Sequence, residues 1–164
     1  MAVSGSSRKK VIVRKFSRDW QSGYVDPQGF VRDGQLEILD TMGKVSSLSL
    51  QDVKMVCFVK DFLPADANDP ERLLRRSFTS RPRTPGLWLQ MRLRDGDEIE
   101  GLASNDLSLL DTEGIQFAPP DMRTSTQRIF VPRTALLSLQ IIAVIHASRR
   151  RRSDAAEQER LFAT

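Results

Sequence analysis

From residue 11 onward, short runs of alternating apolar and polar side chains are separated by turn residues, the period of two that half-buried β-strands impose. Val11-Ile12-Val13-Arg14-Lys15-Phe16 opens the series, and Ser17-Arg18-Asp19 turns the chain into a second strand, Trp20 to Val25, with Gly23 inside it. After a loop holding Pro27, Gly29 and Gly34, the runs Gln35 to Asp40 and Val45 to Leu50 alternate again on either side of Met42-Gly43. Gln51-Asp52 interrupts the rhythm before a nearly continuous apolar strand, Val53 to Val59. The same order then returns. Leu87 to Leu93 leads through Arg94-Asp95-Gly96-Asp97, a tight Asp-Gly hairpin turn, into Glu98 to Ala103, where Gly101 matches Gly23. Gly114 to Phe117, Gln127 to Val131 and Leu136 to Val144 complete the second set, with Pro132 to Ala135 interrupting where Gln51-Asp52 did.

The pattern predicts an all-β chain built from two small five-stranded barrels in tandem. Glycine in the second strand of each relieves crowding where the strand curls. The expected organisation is a flexible basic N-terminus over 1–10, a first barrel over 11–62, a linker over 63–86, a second barrel over 87–147 and an Arg-rich tail over 148–164. Within the linker, Asp69-Pro70-Glu71 is a helix start, and Arg72 to Phe78 supplies about two turns. Leu73, Leu74 and Phe78 are expected to dock on a barrel, whereas Ser80 to Gly86, with prolines at 82 and 85, is extended.

Charge changes the picture only once it is placed. The 164 residues carry 25 basic and 21 acidic side chains, a net charge of +4. Residues 1–10 hold three basic groups and no acid, and residues 149–164 hold five arginines and three acids, so the remaining body has 17 basic against 18 acidic groups. A body that is neutral argues against a broad phosphate-binding face. The internal exception is Arg72, Arg75, Arg76, Arg81 and Arg83, accompanied only by Glu71.

Catalytic chemistry finds few candidates. Cys57 lies in an apolar run with no histidine nearby and is expected to be a buried small hydrophobe, and one cysteine makes no internal disulfide. His146 ends an apolar stretch, an unpromising place for a general base, and one His with one Cys makes a poor zinc site. Asp95, Asp97, Glu98 and Glu100 form an acidic hairpin that could hold a divalent cation but reads better as a solvated edge discouraging strand-to-strand aggregation. Trp20, Trp88 and Phe130 are expected in cores rather than around a ligand, and the scattered glycines form no phosphate loop. Residues 119–128 form a long polar loop whose Thr124, Thr126 and Arg128 are suited to meeting a partner. The basic N-terminus lacks a leader's apolar stretch, and Leu136 to Ala147 is too short to span a bilayer, so a cytoplasmic protein is expected.

The helix from Pro70 to Arg76, the hairpin Leu89 to Gly101 and the run Ile129 to Leu139 resemble the Sm-like barrel, with its helix, five bent strands and Asp/Asn-Gly hairpin. Residues 53–62 (Val53-Lys54-Met55-Val56-Cys57-Phe58-Val59-Lys60-Asp61-Phe62) resemble a bacterial family of unknown function whose members often accompany PilZ domains, a likeness extending over most of 10–147. The order Arg72-x-x-x-Arg76, barrel, Asp106-x-Ser108 is also similar to PilZ receptors, where arginines clamp cyclic-di-GMP phosphates, although position 111 is Asp where that motif has Gly. The Sm-like resemblance implies RNA binding, but this chain has Arg133-Thr134 at the family's second RNA-reading position and a single tyrosine, Tyr24, for stacking.

The functional expectation is a non-enzymatic binding or regulatory module without a cofactor. Its partner is a protein or a small nucleotide, with RNA as the alternative and self-association as a further expectation. The contact residues are Arg72, Arg75, Arg76, Arg81, Arg83, Asp106, Ser108, Thr124, Thr126 and Arg128.

Overall fold

The computed structural model describes residues 8–62, 76–111, 113–121 and 125–147. It is an all-β structure. Strands β1 (Lys9–Lys15), β2 (Trp20–Val25), β3 (Val31–Arg32), β4 (Gln35–Asp40), β5 (Val45–Ser49) and β6 (Val53–Val59) form the first half. Strands β7 (Gly86–Leu93), β8 (Glu98–Ala103), β9 (Gly114–Phe117), β10 (Thr126–Pro132) and β11 (Leu136–Ile145) form the second. The interruptions expected before the last strand of each half are single 3-10 turns, Leu50–Asp52 and Arg133–Ala135. The predicted helix and both tails fall largely outside the described residues. Residues 76–78, its described end, are not helical. They lie along β8 instead, where Arg76 C=O accepts from Glu100 N–H (2.7 Å) and the Phe78 ring stands edge-on to Trp88.

The strands do not close into two separate barrels. One eight-stranded sheet runs β3-β4-β2-β1-β6-β10-β9 with β5 beside β4, and a second sheet is β11-β7-β8. The seam between the halves is the antiparallel pairing of β10 with β6, Ile129 opposite Cys57 and Phe130 opposite Val56. Among the described residues a single bridge, Leu102 to Ala118, joins the second sheet to the first.

Alternation across this seam builds two cores on opposite faces of one sheet. Val11, Val13, Val53, Val56 and Phe130 face a core completed by Val25, Phe30, Leu36 and Ile38. Ile12, Met55, Cys57, Ile129 and Val131 face the other, completed by Leu87, Leu89, Met91, Ile99 and Phe117. The near-continuous apolar sequence of β6 follows from this: a strand covered on both faces has no solvent side to mark with polar residues. Phe130 is the second half's contribution to the first half's core, edge-on to Phe30 at 5.1 Å between ring centroids. Gly101 in β8 is required by close approach: a Cβ there would collide with the Phe117 ring.

Lys54 departs from the apolar pattern of β6. Lys15 pairs with Val53 and Arg14 with Met55, so Lys54 is the extra residue of a bulge that turns its side chain out of the ladder. Its ammonium reaches across the seam to Asp95 Oδ2 at 2.8 Å and Asp97 Oδ2 at 2.5 Å, and Arg76 Nη1 meets Asp97 Oδ1 at 3.3 Å. Glu100 accepts from Trp88 Nε1 (3.1 Å) and Phe78 N–H (2.9 Å). Three carboxylates of the acidic hairpin are therefore internal fasteners, a correction to the expected solvated edge.

Candidate functional site

Four of the ten expected contact residues line two adjoining cavities of about 320 and 420 Å³ on the outer side of the second half. The cavities share Thr84, Leu102 and Ala118 in their walls. Arg81 and Arg83 border one, Ser108 and Arg128 the other. The groove exists because prolines at 82 and 85 keep the segment before β7 extended, so it runs beside the β8–β9 junction instead of coiling over it. Its floor is the bridge between Leu102 and Ala118, whose backbones exchange hydrogen bonds at 2.9 and 3.0 Å.

Arg81, Arg83 and Arg128 are exposed, and none is in an ion pair among the described residues. Arg128 Nη1 donates to Gln116 Oε1 at 3.3 Å, which aims its guanidinium along the cavity that also contains Ser108 and Asp111. Arginines beside a hydroxyl and a side-chain amide suit an anionic ligand with planar oxygens, because a guanidinium fork donates to two oxygens at once.

The Asp106-Leu107-Ser108 turn has a local role. The Asp106 carboxylate caps the 3-10 turn Leu107–Leu110 by accepting from Ser108 N–H at 2.9 Å. Hydrogen bonds from Ser108 hold the Asp106 carboxyl below its ordinary value. Ser108 therefore faces the groove while Asp106 holds the turn that presents it.

The remaining expected contacts are placed elsewhere. Arg76 belongs to the Lys54 cluster, which lines a separate cavity of about 430 Å³ with Arg14, Lys15 and Arg18. Thr126 is a ladder residue opposite Val59 at the seam. Arg72, Arg75 and Thr124 lie outside the described residues. Gln116, Thr84 and Asp111 were not foreseen. The lone charge of Lys54 inside an apolar run was the available sign that β6 had something across from it to meet.

Among the described residues no helix is long and apolar enough to cross a membrane, and no grouping of His, Cys, Asp and Glu is arranged to hold a metal ion. Cys57 is buried in the seam, and His146 lies exposed beyond the end of β11; neither borders the groove. No curated protein and no solved structure matches the chain. A family model does match, over residues 7–143, and by that match the chain belongs to DUF6982, a family of unknown function.

Proposed function

We propose that this chain is a non-catalytic, cytoplasmic regulatory module that binds a small phosphate-bearing nucleotide in the groove between residues 78–84 and the β8–β9 junction. The observation that carries this reading is the convergence of Arg81, Arg83 and Arg128 with Ser108 on two contiguous cavities. These groups can hold phosphate oxygens and base edges by charge-assisted hydrogen bonds but are poor acids, bases or nucleophiles at neutral pH. A single buried cysteine suits a reducing compartment.

The two halves are read as two renderings of one curled Sm-like five-strand plan, joined along one seam in place of closing separately. Support comes from their pairings: β1·β2, β1·β6 and β4·β5 in the first half correspond to β7·β8, β7·β11 and β9·β10 in the second. Among nucleotides, a cyclic dinucleotide fits best, because two phosphates within one small ligand match arginines on two joined cavities.

Thermal unfolding with cyclic-di-GMP, mononucleotides and an RNA oligomer tests this. A ligand that binds only the native chain raises the midpoint by several degrees at about a hundred times its Kd. The combined variant R81A/R83A/R128A should lose that rise while keeping the unliganded midpoint, since all three side chains are exposed. No rise with any nucleotide, or a rise that the triple variant keeps, would remove the groove; a rise with RNA alone, steeply salt-dependent, would favour the RNA alternative.

A further inference from the structure

Strand β11 presents an apolar surface that its counterpart in the first half does not. Each strand follows a 3-10 turn and pairs with the first strand of its own half, β6 with β1 and β11 with β7. On its other edge β6 is covered by β10, and six of its seven residues are buried. Strand β11 is longer, ten residues, and among the described residues its other edge has no strand beside it.

Leu139, Ile141 and Val144 lie opposite Met91, Leu89 and Leu87, which are buried, and so share the core-facing side of the sheet. Even so, they are 38 %, 51 % and 37 % exposed, and neighbouring Leu137 is 64 % exposed. The core of the second sheet is open along this strand. Bulges interrupt its ladder with β7 between Leu136 and Ser138 and between Ile141 and Ala143, but a long hydrophobic edge is what proteins otherwise shorten, charge or cover.

We propose that β11 is covered by β11 of a second copy of this chain, paired antiparallel across a twofold axis so that the two three-stranded sheets become one of six. Two observations select that occupant. First, Leu136–Ile145 contains no charged residue, so the strand meets itself without like-charge conflict, and ten residues match ten. Second, the chain already joins sheets by an antiparallel edge pairing of this kind, at β10·β6.

Strand β5, an edge of the eight-stranded sheet and the first half's counterpart of β10, fits poorly as a partner. At the seam, Phe130 of β10 anchors the pairing in the opposite core, whereas the corresponding position of β5, three residues before its 3-10 turn, is Ser47. A head-to-tail contact of β5 on β11 would lack its anchor and leave half of β11 uncovered. Closed twofold pairing also consumes both edges at once and stops further growth.

Sedimentation equilibrium on the full chain, over roughly 1–100 μM, tests the pairing. The wild type should have twice the 18.6 kDa mass of one chain, and L139K/I141K should have the single mass. Both substituted side chains are partly exposed in the single chain, so an unchanged circular dichroism spectrum separates lost association from lost folding. S47K on β5 should remain dimeric. A wild type of single mass throughout, or a dimer that survives L139K/I141K with its spectrum intact, overturns the proposal. So does dissociation by S47K, which would point to head-to-tail contact.

Discussion

Lys54 is a charge taken almost wholly out of water and held there by two carboxylates that are themselves about one-third exposed. Removing an ammonium from solvent is unfavourable by several kcal/mol unless partners replace its hydration, and Asp95 and Asp97 do so from a turn far away in sequence. Partial burial pushes the Asp95 carboxyl up, but the hydrogen bonds from Lys54 and from Asp97 N–H, with the charge of Lys54, outweigh it and hold Asp95 below its ordinary value of 3.8. A carboxylate whose folded pKa is depressed contributes stability that is present above the unfolded value and disappears as pH falls through the folded one. D95N should therefore lower the urea midpoint clearly at neutral pH, and the gap to the wild type should narrow once the pH drops below about 4. Urea unfolding of both proteins at neutral pH and near pH 3 checks this, and an equal gap at both would show that Asp95 acts by packing alone.

Elements in this chain were readable because a period of two survives wherever one face is wet. The alternation in Gln35–Asp40 and Glu98–Ala103 gave both strands their limits, and the Asp-Gly turn between β7 and β8 gave that hairpin its register. The sequence also located the two 3-10 turns as breaks in rhythm. It did not reveal β3, a two-residue strand, because a segment that short carries no period. Nor did it show which strands would meet. Pairing of β10 with β6 joins residues about 70 apart, and nothing local to either strand names its neighbour. Half of the candidate groove was visible as an arginine-rich, proline-broken segment; the other half, Ser108 and Arg128 converging on it, depended on the pairing of β10 with β9 and on the Leu102–Ala118 bridge, which nothing local to those residues announces. The seam makes its own prediction. Phe130 is buried among Phe30, Val11 and Val56 of the other half, so F130A should destabilise the chain by about 3–5 kcal/mol, the range for emptying a phenylalanine site in a core. Equilibrium urea unfolding measures it, and a loss below about 1 kcal/mol would mean the seam is held by its backbone ladder alone.

At the scale of the whole molecule, two cores lie on opposite faces of β1, β6 and β10, and each is completed by side chains from the other half. The core on one side takes Ile12, Met55, Cys57 and Val59 from the first half, and that on the other takes Phe130 from the second. Lys54 with Asp95 and Asp97, Arg94 donating to Gln51 C=O at 2.6 Å, and Thr134 donating to Leu50 C=O at 3.3 Å tie the halves further. Sheets of some 50–60 residues are marginal when isolated, and each half here would also expose a stripped sheet face on separation. The halves should therefore unfold together. The chain carries its own reporters, since its two tryptophans, Trp20 on β2 and Trp88 on β7, stand one in each half. In single-tryptophan variants W20F and W88F, the fluorescence transition in urea should coincide with the circular dichroism transition of the same variant, as a two-state process requires. If the W20F protein, reporting on Trp88, showed a fluorescence midpoint displaced from its own loss of β-structure, the halves would be separate folding units and the seam only a contact between them.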